Sequence, residues 1–323
     1  MALTSLPLWS DKTWRDGALS WAADRLAEHA LAVTGEITQP HARLWATAFR
    51  IPTSGGVYWL KANSPGPAYE AGLVGLLARW VPGHIVVPLA TDPDRGWLLS
   101  PDAGETLRSL GKTELAVWQR CLAEFAELQR AVARHVPELL AAGVPDQRPS
   151  AMPRHVAELL EHRDELAAGL PADRHDLIAA LQPEFARWCE ELDAIAIPAS
   201  IQHDDLHDAN ILVDGPAYRF FDWGDACVGH PFGVLLIALR VARHQGMDGP
   251  GLAAIRDAYL EPWTAEYAID DLRLAARLAI RIAIPGRSLS YQRALCTVPF
   301  ADRGEDSDAV GGWLNELLAP DIL

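Results

Sequence analysis

Apolar positions recur with a helical period over residues 13–33, where Trp14, Ala18, Trp21 and Leu26 fall near one face. The period then shortens. Two β-rich runs, 44–51 and 56–62, flank Thr53-Ser54-Gly55-Gly56, a string of turn formers that predicts a hairpin. A helix is expected to open at Pro67 or Ala68, run to Trp80 and stop at Pro82-Gly83. Two short strands, 85–89 and 96–99, follow on either side of the turn-forming Thr91-Asp92-Pro93-Asp94-Arg95-Gly96.

After Ser100-Pro101 the pattern changes. Residues 104–196 read as almost wholly helical, with breaks at 143–153 and 169–172. One β-rich island, 200–226, interrupts the helical half, and the pattern is helical again from Pro231. Arg273, Arg277 and Arg281 recur every four residues and read as a solvated face of a helix that Pro285-Gly286 should end. These elements predict an α+β fold in two lobes. A small β-rich N-terminal lobe covers 1–100, and a larger helical lobe with its own small sheet covers 101–323. The hinge is expected near 98–102, and a cleft between such lobes is a common place for a site.

Composition narrows the partners. Half of the 323 residues are hydrophobic, enough for a sizeable core. The net charge of −15 and a pI near 5.1 argue against non-specific binding to nucleic acid or to an anionic membrane. The N-terminus lacks a basic segment followed by a long apolar run, so no signal peptide is expected. No apolar stretch nears the ~20 residues of a membrane span. Cysteines at 121, 189, 227 and 296 have no metal or redox spacing, and are expected to be reduced thiols of a cytoplasmic protein.

The island at 200–226 carries the candidate chemistry. It holds six aspartates, two histidines and Asn210 around the apolar runs 211–213 and 220–221. Asp205 lies on the loop after a short strand, Asn210 starts the next strand, and Asp222 ends the strand after that. A hairpin would bring Asp222 back to the Asp205–Asn210 loop. Oxygen donors of this kind suit a hard cation such as Mg²⁺. A separate carboxylate can accept a proton from an attacking hydroxyl. On this reading Asn210 and Asp222 are the metal ligands, Asp205 orients or deprotonates an acceptor, and bound cations make the clustered anions tolerable.

Lys61 adds an independent signal. The chain has only three lysines, at 12, 61 and 112, among 28 Lys and Arg. Lys61 lies on an otherwise apolar strand, and Glu70 follows on the next helix. A strand lysine paired with a helix glutamate is how a phosphotransferase sets an ammonium against nucleotide phosphates.

These residues resemble the aminoglycoside phosphotransferase family and its kinase-like relatives. His203-Asp204-Asp205-Leu206-His207-Asp208-Ala209-Asn210 is similar to the catalytic loop, and Phe221-Asp222-Trp223-Gly224-Asp225 to the metal-binding segment that follows it. The stretch 59–62, Glu70, and 96–104, which is similar to the lobe connector, fall in the expected order, so the resemblance covers roughly 45–235. It implies a bilobal protein-kinase-like fold using ATP and Mg²⁺. Carried over, Asp205 is the catalytic base, Asn210 and Asp222 hold Mg²⁺, and Lys61 contacts the nucleotide phosphates with Glu70 bracing it. Leu98, Leu99, Ser100 and Pro101 meet the adenine through their backbone, and Ser54, Gly55 and Gly56 lie over the phosphates. His203 and His207 brace the loop. Two departures stand out: no Gly-x-Gly-x-x-Gly precedes Lys61, and Asp204 stands where glycine is frequent. An anion there is expected to raise the pKa of the base by like-charge repulsion.

The leading expectation is an ATP-dependent transfer of phosphate to a hydroxyl of a small molecule, an aminoglycoside or related amino sugar, with Asp225 as the nearest acidic contact for such an acceptor. Macrolides, choline-like alcohols, homoserine and simple sugars are alternative acceptors. A zinc hydrolase built on His203 and His207, or a catalytically silent nucleotide-binding module, are the readings from other classes.

Overall fold

The computed structural model describes residues 7–321. A one-turn helix, α1 (Pro7–Ser10), precedes α2 (Lys12–Glu28). The Asp11 carboxylate caps α2 by accepting from the Trp14 amide at 2.7 Å. Ala18, Ala22 and Leu26, four residues apart, are buried along one stripe. They join Phe49, Ile51, Leu60 and Leu99 of the neighbouring sheet in a small core of their own. The helix stops short of the expected residue 33. Ala30 takes a left-handed φ of 58°, and the Leu31 amide folds back onto the Leu26 carbonyl at 3.0 Å.

The sheet has five antiparallel strands: β1 (Thr38–Ala42), β2 (Ala46–Thr53), β3 (Gly56–Asn63), β4 (Ala90–Asp92) and β5 (Trp97–Pro101). Their order is β1-β2-β3-β5-β4. The expected hairpin is β2–β3, closed where Thr53 pairs with Gly56, whose φ of 114° favours glycine. The register sets Lys61 opposite Ala48 on one side and Leu98 on the other. The strand expected at 85–89 lies later in the chain. Ile85 makes one bridge to Phe220, Pro88 has no N–H for a ladder, and regular pairing begins at Ala90. Helix α3 (Glu70–Trp80) crosses between β3 and β4.

Past Pro101 the chain passes to the helical part, where Thr106 bridges to Leu212. The helices are α4 (Leu115–Val132), α5 (Val136–Ala141), α6 (Met152–Glu161), α7 (Arg163–Leu166), α8 (Ala172–Ala194), α9 (Leu235–His244), α10 (Gly249–Leu260), α11 (Ile269–Ala294) and α12 (Ala309–Asn315). Trp118, Leu122, Phe125 and Val132 form the buried stripe of α4 and pack into the main core. The β island contains two small sheets. One joins β6 (Asp146–Gln147), β10 (Cys227–Gly229) and β7 (Ser200–Gln202); the other is the hairpin of β8 (Ile211–Asp214) and β9 (Ala217–Phe220). The two-residue β6 fell inside an expected break, being too short to show a period.

Helix α11 does not end at Pro285-Gly286. It continues to Ala294, and every residue from Ile282 to Ser288 is buried. Proline inside a helix removes one hydrogen bond; burial on all sides of this segment overrides the break. Gly286 lies close to the Gln147 side chain: a Cβ there would meet Oε1 at 2.7 Å and displace the amide. The arginine stripe of α11 is only partly solvated. Arg273 pairs with Asp257 at 2.8 Å, and Arg281 reaches Asp321 at 3.3 Å while lying over the Trp188 ring. Among the described residues no helix is long and apolar enough to cross a membrane.

Candidate active site

Strand β3 delivers Lys61 and helix α3 delivers Glu70. The ammonium sits 2.6 Å from Glu70 Oε2 and 2.5 Å from Asp222 Oδ1. Glu70 is 1% exposed and fully engaged. It also accepts from Asn63 Nδ2 at 2.8 Å and from the Trp223 amide at 2.9 Å. Next to it, the Tyr69 hydroxyl lies 2.7 Å from the Gly224 carbonyl and 2.8 Å from that of Ala226. The start of α3 is thereby fixed to the segment 222–226 of the helical part. Burial alone would weaken the hold of Lys61 on its proton, but Asp222 and Glu70 outweigh it and raise its pKa. Burial would raise Asp222, and Lys61 outweighs it and lowers it. Asp222 has a left-handed φ of 66°, a strain of roughly 1–3 kcal/mol of the kind found at functional sites.

The loop between β7 and β8 carries Asp205 and Asn210. The Asn210 side-chain amide donates to the Asp205 carbonyl at 3.0 Å, which leaves its oxygen as the group available to a cation. Asp222 gives one oxygen to Lys61 and is 50% exposed. The Phe221 amide donates to the Asn210 carbonyl at 3.3 Å, which brings the two segments together, and a carboxylate and an amide oxygen are donor types that suit a Mg²⁺ ion keeping several waters. The Asp205 carboxylate lies 3.2 Å from Arg287 and 3.4 Å from His207 Nε2. Burial would raise its pKa; Arg287 and His207 outweigh burial and hold it well below the usual carboxylate range. The expected upward push from Asp204 is therefore overruled by Arg287, a cation from a helix remote from this loop in sequence.

Asp204 is itself accounted for. It is buried, with a left-handed φ of 63°, the conformation glycine adopts freely. Its carboxylate accepts from Gln202 Nε2 at 2.8 Å and from Ser290 Oγ at 2.7 Å. Burial pushes its pKa up to about 6, against the pull of Arg287 and Ser290. All six aspartates of the island have a cationic partner within the chain. Arg287 serves Asp204, Asp205 and Asp225; Arg108 serves Asp208; Arg219 serves Asp214; Lys61 serves Asp222. Four cations thus face six aspartates, and Lys61 is shared with Glu70, so the chain offsets only part of this negative charge itself.

Both histidines brace the loop. His203 is buried, donates from Nε2 to the Phe221 carbonyl at 2.9 Å and packs against Trp223. Burial lowers its pKa. His207 accepts from the Ala209 amide through Nδ1. The two rings face different partners, and among the described residues no group of three or more His, Cys, Asp or Glu is placed to hold a metal ion. The zinc arrangement is not formed.

The Ser54-Gly55-Gly56 turn is not placed over the Lys61 site. Gly56 is five residues before Lys61 on the same strand, roughly 17 Å away at strand spacing. Ser54 is tied to the chain after α2, its amide donating to the Ala32 carbonyl and its hydroxyl accepting from the Ala32 amide. The turn at the Lys61 end of the sheet is the other one, Arg43-Leu44-Trp45, between β1 and β2. It carries no glycine, so no glycine signal could reveal it. The Trp45 ring meets Tyr291 of α11 edge-on at 6.2 Å. Of the expected adenine contacts, Leu98 and Leu99 lie inside the ladder between β3 and β4, and the Leu99 carbonyl accepts from Leu89. Ser100 and Pro101, at the end of β5, pair only with β3.

A family model described as "Phosphotransferase enzyme family" matches residues 53–270. No curated protein matches the chain by sequence. Solved structures share its fold. An ethanolamine kinase of Plasmodium vivax superposes with a TM-score of 0.65 at 10% identity, covering 96% of this chain and 90% of that one. A type I macrolide 2'-phosphotransferase gives 0.59 at 16%, covering 96% and 99%. A spectinomycin phosphotransferase in complex with ADP and spectinomycin gives 0.51 at 12%, covering 93% and 97%.

Proposed function

The chain belongs to the phosphotransferase enzyme family, a group of small-molecule kinases with the kinase-like phosphotransferase fold, and from that premise we propose that it moves the terminal phosphate of ATP to a hydroxyl of a small cationic molecule. The observation that carries the proposal is that Lys61 bonds both Glu70 and Asp222, 161 residues away, while the Phe221 amide beside Asp222 reaches the Asn210 carbonyl of the Asp205–Asn210 loop at 3.3 Å. Bound Mg-ATP would supply the transferable phosphoryl group and the cation that offsets its charge.

Each residue then has a task. Lys61, held by Glu70, presents a point charge to the nucleotide phosphates. Asn210 and Asp222 hold Mg²⁺. Asp205, kept ionised by Arg287, aligns the acceptor hydroxyl and takes its proton as the new bond forms. The Arg43-Leu44-Trp45 turn covers the phosphates. The backbone at Ser100 and Pro101, more than that of Leu98 and Leu99, receives the adenine. The residues 1–100 act as the nucleotide lobe and 101–323 as the acceptor lobe.

For the acceptor we propose an aminoglycoside or related amino sugar. Asp205 and Asp225 are both partly exposed beside the loop, and Asp306 lies near Arg43 of the covering turn. Together with the net charge of −15 these favour a cationic compound. The test is ATP consumption against a panel of aminoglycosides, hexosamines, macrolides and amino alcohols, with and without Mg²⁺. Mg²⁺-dependent turnover with an aminoglycoside or hexosamine is expected. Turnover only with macrolides or amino alcohols would overturn the acceptor assignment.

A further inference from the structure

Arg287 lies on α11 at the point that Pro285-Gly286 would have cut off, and is 4% exposed. A buried guanidinium is costly unless its charge is paired; Nε of Arg287 is buried without a hydrogen-bond partner, and the other two nitrogens carry the contacts. Here Nη1 donates to the Asp204 carbonyl at 2.9 Å and lies 3.2 Å from Asp225, while Nη2 reaches Asp205 at 3.2 Å. Tyr291 and Trp313 flank the guanidinium with their rings, 5.4 and 5.5 Å away. One helical step on, Ser290 donates to the Asp204 carboxylate at 2.7 Å. Arg287 and Ser290 thus grip both the backbone and the side chain of Asp204, a non-glycine residue with a left-handed φ of 63°.

We propose that Arg287 is a positioning residue for phosphate transfer: with Ser290 it clamps Asp204 in the left-handed conformation and so fixes where Asp205 presents its carboxylate. This rests on the reading of Asp205 as the base, and adds to it a part of the chain remote from the loop in sequence. Asp204 has a side chain where glycine would need no support, so the loop depends on α11 to hold its shape. Arg287 touches Asp205 from the protein side and acts through it. The continuation of α11 past Pro285 is what brings both clamp residues to the loop. Lysine at 287 would keep the charge but lacks the planar fork that reaches several oxygens at once.

The test reads kinetics and structure on the same variants. Arg287→Met should lower kcat about a hundredfold, the scale set by small misplacements of a reacting group, with the KM for nucleotide unchanged. Arg287→Lys should recover part of that loss. A crystal structure of Arg287→Met should show Asp204 out of the left-handed region and the Asp205 carboxylate displaced. If Arg287→Met does not fold, Ser290→Ala is read in the same way, with a smaller loss of kcat and the same unchanged nucleotide KM. An undisturbed loop in the variant structure, or a nucleotide KM that rises in step with the fall in kcat, would overturn the clamp. If the wild-type protein phosphorylates no hydroxyl compound, the base assignment fails and the variant structure still decides the clamp.

Discussion

The ammonium of Lys61 lies 2.5 Å from Oδ1 of Asp222, a residue 161 positions further along the chain. The same ammonium is 2.6 Å from Glu70, which is 1% exposed. Lys61→Met would leave that buried carboxylate without its cation. A buried pair broken on one side costs about 3 kcal/mol or more. We expect that loss in urea unfolding, together with loss of nucleotide binding by calorimetry. The double variant Lys61→Met, Glu70→Gln removes the unpaired charge and keeps an acceptor for Asn63 and the Trp223 amide, so it should recover much of the stability and none of the binding, which separates the structural part of the pair from the functional one.

The two turns of the N-terminal sheet give opposite expectations. Trp45→Ala, in the turn at the Lys61 end, should raise the KM for nucleotide about tenfold, equivalent to ~1.4 kcal/mol of binding. Ser54→Ala, in the turn at the far end, should leave that KM unchanged and lower stability by about 1 kcal/mol through the lost bond to Ala32. Steady-state kinetics with varied ATP distinguishes them.

Asp204 gives a pH signature. Its pKa rises from the ordinary 3.8 to about 6 in the folded protein, chiefly through burial. Between those values the folded state holds the proton more tightly than the unfolded chain, so this group makes the fold less stable as pH rises through the window. Compared with Asp204→Asn, the wild type should lose stability between pH 3.8 and about 6 and run parallel outside that range. Denaturation midpoints of both proteins across pH 3.5 to 7 check this, where those limits are rough bounds on the same window.

Much of the site was legible in the sequence because its residues are chemically out of place. A lysine in an apolar strand and six aspartates around two short strands contradict burial preferences and so draw notice. The β2–β3 hairpin was legible because glycine marks its turn. What escaped depends on register and on distant contacts. The Ser54–Gly56 turn carries the glycines, yet strand order places the Arg43–Trp45 turn at the Lys61 end. Arg287 sits past a Pro-Gly pair that locally signals a helix end, and only the burial of that segment keeps α11 going. Its partners, Asp204, Asp205 and Asp225, are 62 to 83 residues away.

The central claim is that the Asp205 loop and Lys61 together carry phosphate from ATP to a hydroxyl. Its most direct measurement is label transfer from γ-labelled ATP to the acceptor panel, run side by side with wild type and Asp205→Asn. The account predicts Mg²⁺-dependent labelling of an acceptor by wild type, reduced about 10²–10⁴-fold in Asp205→Asn with nucleotide affinity retained. Labelling that survives the substitution at near wild-type rate, or no labelled acceptor from wild type, would contradict it.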